Sequence, residues 1–110
     1  MKILFDQGTP APLRRFLPGH DVETAHERGW SAFKNGALIA AAEQAGFEVF
    51  VTTDQNLGYQ QNLAGRTIAI VVILTTSWPR IQAELPEMQA AIDAARPGTY
   101  REVAVAARNR

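Results

Sequence analysis

Phe47-Glu48-Val49-Phe50-Val51-Thr52-Thr53-Asp54 is an apolar strand that runs straight into a carboxylate. The chain opens on the same pattern, with Lys2-Ile3-Leu4-Phe5 ending at Asp6. Laid parallel in one sheet, the two strands deliver both carboxylates to a single edge, the edge at which open α/β sheets place their ligands. That edge is the candidate active site.

Outward from this pair, strands and helices alternate. Gly8-Thr9-Pro10 supplies a turn, and Leu13, Phe16 and Leu17 recur at helical spacing before Pro18-Gly19. His20 to Ala25 reads as a short second strand, followed by a loop over His26 to Asn35 that carries Gly29 and Trp30. A helix is predicted over Asn35 to Ala45, with Leu38, Ile39, Ala41, Ala42 and Ala45 on its apolar face and Gly46 as its stop. Leu57 to Leu63 reads as a short helix ended by Gly65. Thr67 to Leu74 is the longest apolar run and has the character of a central strand buried on both faces. Trp78-Pro79 opens a last helical region with Ile81, Leu85, Met88, Ile92 and Ala95 on one side, where Pro86 demands a kink or two shorter helices. Pro97-Gly98 ends it, Tyr100 to Val105 alternates as an edge strand, and the tail, 106–110, is expected to fray. The order argues for an α/β fold with a mostly parallel sheet of four to five strands covered on both sides, in one domain over 1–105.

Composition narrows the chemistry. The 110 residues fit one small domain, and 46% hydrophobic content suffices for one core. Eleven basic and eleven acidic residues cancel, so any nucleic-acid contact must come from a local patch. The lack of cysteine removes disulfides, thiolate nucleophiles and Cys-ligated zinc, and is compatible with a reducing compartment. No segment approaches the length of an apolar membrane span, so a soluble cytoplasmic protein is the expectation. His20 and His26 lack the i, i+4 spacing of a helical zinc pair and read as structural. Ser31 and Ser77 lack a convincing His–acid constellation in the sequence, and neither a Walker-type loop nor a G-x-G-x-x-G fingerprint is present.

Two carboxylates at one edge repel unless a counter-charge is present, and a divalent cation supplies it. Oxygen donors with several retained waters suit Mg²⁺ or Mn²⁺. The plainer reading of Asp6 and Asp54 is that each begins a turn. Beside Asp54 the chain is rich in amides: Gln55, Asn56, Gln60, Gln61 and Asn62, groups that bind phosphate or ribose, or cap helices. Arg14, Arg15, Arg28, Lys34 and Arg66 are candidates for a phosphate rim, and Trp30, Phe33 and Tyr59 for base stacking. Lys34 leads this group, because its loop enters the helix bordering the cleft. Trp30 and Phe33 are alternatively anchors for a protein partner or a second subunit.

Ile3-Leu4-Phe5-Asp6-Gln7, Gly19-His20-Asp21-Val22-Glu23-Thr24-Ala25, Lys34-Asn35-Gly36 and Val51-Thr52-Thr53-Asp54-Gln55-Asn56-Leu57, in that order, resemble the small PIN-like proteins related to VapC-type toxins of toxin–antitoxin pairs. The similarity runs to about Arg101. It implies a three-layer α/β/α fold, an acidic cluster binding Mg²⁺ or Mn²⁺, and hydrolysis of RNA by the toxin partner of a cognate antitoxin, with a homodimer as a further expectation. By position, Asp6 and Asp54 would bind metal and act in catalysis, with Asn56, a looser match, assisting; Gln7, Lys34 and Gln60 are the candidates for substrate contact. Relatives carry an acid directly after the Asn-Gly pair, where this chain has Ala37, and Gln7 stands where many have a second acid. Glu43, six residues beyond Ala37, is a further metal candidate from a deeper turn, or else an exposed helix residue. The alternative function is a non-catalytic PIN-like binding module that has lost the central acid.

Overall fold

The computed structural model describes residues 1–55 and 66–105. Its strands are β1 (Lys2–Phe5), β2 (Asp21–Thr24), β3 (Val49–Thr52), β4 (Ala69–Ile73) and β5 (Tyr100–Val103), and its α-helices are α1 (Asn35–Gln44), α2 (Trp78–Ala83) and α3 (Leu85–Asp93). A 3₁₀ helix over Ala11–Phe16 follows β1. The strands form one sheet in the order β2-β1-β3-β4-β5, and every pairing is parallel. The architecture is α/β with helices on both faces, as expected for three layers. The expected helix 57–63, the stacking candidate Tyr59 and the tail 106–110 lie outside the described residues.

Side chains alternate between faces along each strand. Ile3, Phe5, Val49, Val51, Val71 and Ile73 pack with Leu13, Ile81, Met88 and Ile92, so the 3₁₀ helix, α2 and α3 cover this side. Leu4, Phe50, Ile70 and Val72 pack with Leu38, Ile39 and Ala42 of α1 on the other. β3 and β4 are buried along their whole length, which is why they read as continuous apolar runs rather than alternating ones.

Helix ends follow local chemistry. Gly46 has φ 84°. Its N–H donates to the Glu43 carbonyl at 3.2 Å, and the Phe47 N–H donates to the Ala42 carbonyl at 2.9 Å. This is a Schellman closure, with Phe47 packing in the same cluster as Ala42. Pro86 divides the last helical region in two: α2 stops at Ala83, and Pro86 falls in the first turn of α3, where no amide hydrogen is required. Among the described residues only the first helix differs in kind from the sequence reading. Pro10 and Pro12 flank the start of that segment, and it closes as a 3₁₀ helix with Leu13 as its buried residue.

Among the described residues no helix is long and apolar enough to cross a membrane.

Candidate functional site

β1 has neighbours on both sides, β2 and β3, and the chain leaves it first toward one and later toward the other. The crevice between β1 and β3 at the carboxyl edge is therefore a topological switch point. Asp6 follows β1 and Asp54 follows β3 by two residues, so both stand at this crevice. The register pairs Phe5 with Val51. Asp6 is thereby set beside Thr52, and the Asp6 N–H donates to the Val51 carbonyl at 3.1 Å.

Thr52, fully buried, joins the two acids. Its hydroxyl donates to Asp6 Oδ2. The same oxygen accepts the Asp54 N–H at 3.1 Å. Asp6 Oδ1 accepts the Thr9 N–H at 3.0 Å and the Thr9 hydroxyl at 2.7 Å. Burial pushes the Asp6 carboxyl above the ordinary carboxylate range, although the hydrogen bonds from Thr52 and Thr9 pull the other way. No cation pairs with Asp6 among the described residues. Asp54 Oδ2 accepts from Asn35 Nδ2 at 2.5 Å, which ties this acid to the first residue of α1.

A groove of about 360 Å³ opens at Asp6, lined also by Gln7, Thr9, Ala11, Thr24 and His26. Gln7 turns its amide to the Ser31 carbonyl at 2.5 Å, and Ser31 Oγ lies 3.4 Å from His26 Nδ1. Asp6, Asp54 and Gln7 thus share one edge, and exposed Lys34 immediately precedes Asn35, which contacts Asp54. Asn56 and Gln60 lie outside the described residues.

Glu43 does not join this site. Its Oε2 accepts the Thr67 N–H at 2.7 Å and the Ile68 N–H at 3.2 Å, and its Oε1 accepts from Arg66 Nη1 at 3.0 Å. These residues lead into β4, at the sheet edge opposite the aspartates. A crossover helix returns the chain to the start of the next strand, so a residue in its last turn lands at the far edge. Glu43 therefore anchors the approach to β4. Of the five basic rim candidates, Arg14, Arg28 and Arg66 are paired with Glu27, Glu23 and Glu43. Arg15 and Lys34 have no ion pair among the described residues.

Four contributors escaped the sequence reading. Thr9 and Thr52 look like turn and strand residues, Asn35 like a helix start, and His26 like a loop histidine. Only Asn35 carried a signal, through the Asn-Gly pair ahead of the apolar helix face. His20 is placed away from the groove, with Nε2 2.7 Å from Asp93 Oδ1 and Nδ1 3.1 Å from the Met1 nitrogen. Among the described residues no group of three or more His, Asp or Glu side chains is arranged to hold a metal. Comparison of the chain with protein-family models, curated proteins and solved structures finds no match.

Proposed function

We propose that the protein is a metal-dependent ribonuclease of PIN-like type, acting as the toxin of a toxin–antitoxin pair. The observation that carries this reading is the convergence of Asp6 and Asp54 at the β1/β3 switch point, linked through one buried hydroxyl. Asp6 provides the fit test for a cation. It is a largely buried acid whose charge no described cation offsets, and whose Oδ1 is already filled by Thr9. Oδ2, holding one bond from Thr52, keeps a lone pair for an ion. Two carboxylates giving one oxygen each suit an ion that retains most of its waters, as Mg²⁺ does.

Asp6 and Asp54 would hold such an ion, which when bound polarises a phosphoryl oxygen and makes water a better nucleophile. Thr52 and Thr9 fix the rotamer of Asp6, and Asn35 orients Asp54. The groove beside Asp6 offers Gln7, His26 and Thr24 to a substrate laid along it. Lys34, next to the Asn35 that holds Asp54, adds a positive charge on that side.

The competing reading is a binding module without catalysis. It is favoured by Ala37, which is exposed, and by a first turn of α1 that contains no acid. Cleavage of single-stranded RNA in Mg²⁺ or Mn²⁺ separates the two. Activity in wild type that disappears in Asp6→Asn and Asp54→Asn supports the nuclease, and rises with Ala37→Glu if the missing acid limits it. No cleavage by wild type or by Ala37→Glu at high metal supports the binding module.

A further inference from the structure

The loop between β2 and α1 is held rigidly. Trp30 N–H donates to the Ala25 carbonyl at 2.9 Å, Gly29 N–H to His26 at 3.0 Å and Phe33 N–H to Trp30 at 3.0 Å. Side chains clamp it at both ends of its exposed stretch: Gln7, next to Asp6, holds the Ser31 carbonyl, and Asn35 holds Asp54. Phe33 is two residues from each clamp. At about 3.3–3.6 Å of reach per residue, its backbone lies within about 7 Å of both.

An aromatic stack rises from the core at this point. Phe47, buried under α1, meets Trp30 edge-on with centroids 6.2 Å apart and planes at 72°. Trp30 in turn stacks with Phe33 at 6.2 Å and 12°, an offset parallel arrangement. The Arg28 guanidinium sits 4.7 Å from the Trp30 centroid and 5.5 Å from that of Phe47. Phe33, the outermost ring, is 44% exposed, and Lys34 beside it has no ion pair among the described residues. The only other large hydrophobic side chain exposed among the described residues is Tyr100, on β5.

We propose that Phe33, backed by Trp30, is a stacking platform for an unpaired base of a single-stranded polynucleotide whose phosphate lies at Asp6 and Asp54. The flat ring in a preorganised stack, a neighbouring cation for the backbone, one clamp to Asp54 and one to Gln7, the residue after Asp6, all match one nucleotide. A protein partner is a poorer fit: one exposed ring between Ala32 and Lys34 falls far short of the roughly 800 Å² per side of a stable protein interface. The inference rests on the phosphodiester reading of the acids and adds a base-binding subsite to it.

The test uses the full chain carrying Trp78→Phe, which leaves Trp30 as the sole indole, in Ca²⁺, which supplies a divalent cation between the acids and the phosphate in place of the Mg²⁺ or Mn²⁺ used for cleavage. Anisotropy of fluorescein-labelled octamers of uridylate and of deoxythymidylate gives Kd, and Trp30 emission reports the location. The platform predicts quenching by the single strands. It predicts a Kd raised about 5- to 150-fold by Phe33→Ala, restored by Phe33→Tyr, and no such dependence for a duplex. A uridylate preference would assign the subsite to RNA, and equal affinities to either sugar; both support stacking. Equal Kd for wild type and Phe33→Ala overturns the proposal, as does Phe33→Ala converting a dimer to a monomer with oligonucleotide affinity unchanged. Phe33-dependent binding without metal-dependent cleavage leaves the platform standing and removes the nuclease reading. Cleavage with neither Kd nor KM altered by Phe33→Ala does the reverse.

Discussion

Thr52→Val tests whether one hydroxyl holds the two acids together. Valine keeps the shape of the side chain and opens no cavity, so the change isolates the oxygen at a fully buried position. Two interactions are lost: the bond donated to the Asp6 carboxylate, and the acceptor for the Asp54 N–H. A hydrogen bond to a charged group contributes about 1.5–3 kcal/mol, and a buried N–H left without an acceptor costs about 1–3 kcal/mol. Burying a methyl in place of a hydroxyl recovers part of this, so the net loss is about 2–4 kcal/mol. At about 4 °C per kcal/mol for a domain of this size, Tm should fall by about 8–16 °C. Urea denaturation should show a lower midpoint with an unchanged slope. Carboxyl-carbon NMR should show Asp6 titrating still higher, because one of the bonds holding it down is gone. Thr52→Ser, which keeps the oxygen, should leave that titration near wild type. A Tm loss below about 3 °C together with an unmoved Asp6 titration would refute the bridge.

Three further outcomes are expected. The folded-state pKa of Asp6 lies above its unfolded value, so the stability from its protonated form is complete below about pH 3.9 and is lost as pH rises through the raised folded value. Thermal melts should therefore show a falling component that Asp6→Asn abolishes, and Mg²⁺ near neutral pH should raise Tm in wild type but not in Asp6→Asn; identical profiles with and without the carboxyl would count against it. Glu43 behaves in the opposite sense: burial opposes its charge, but bonds from Thr67, Arg66 and Ile68 outweigh it and lower its pKa. Glu43→Gln should cost about 1–3 kcal/mol near neutrality, a gap that narrows as pH falls below about 4.3, with metal affinity unaltered; a calorimetric change in Mg²⁺ binding would contradict its place at the far edge. Gly8→Ala puts a Cβ 2.6 Å from Thr53 Oγ1, a buried residue, so either the turn after Asp6 or the Thr53 side chain must shift. A loss of about 1–3 kcal/mol in chemical denaturation is expected, and a midpoint equal to wild type would show that the contact is relieved freely.

Much of the fold was legible because its signals are local. Gly46 ends α1 through its own positive φ, and Pro86 divides two helices through its missing N–H. The continuous apolar run of β4 announced a strand covered on both faces, and β3 was legible as an apolar strand ending at Asp54. The segment after Pro10 was legible as helical but not as 3₁₀, because spacing over six residues hardly separates the two periods. Glu43 shows a different limit: helical spacing gives the face of a residue but not its height, and height places Glu43 beside β4 instead of beside Asp6.

From sequence alone came the alternation of strands and helices and the two aspartates at strand ends, since both depend on side chains acting on their own backbone. Only the tertiary structure decided that β1 lies between β2 and β3, that Thr52 bridges Asp6 and Asp54, and that Asn35, His26 and the loop carbonyl of Ser31 gather at their edge. Those relations join residues up to 46 positions apart. They arise from sheet register and the return path of each helix, which no stretch of neighbouring residues encodes.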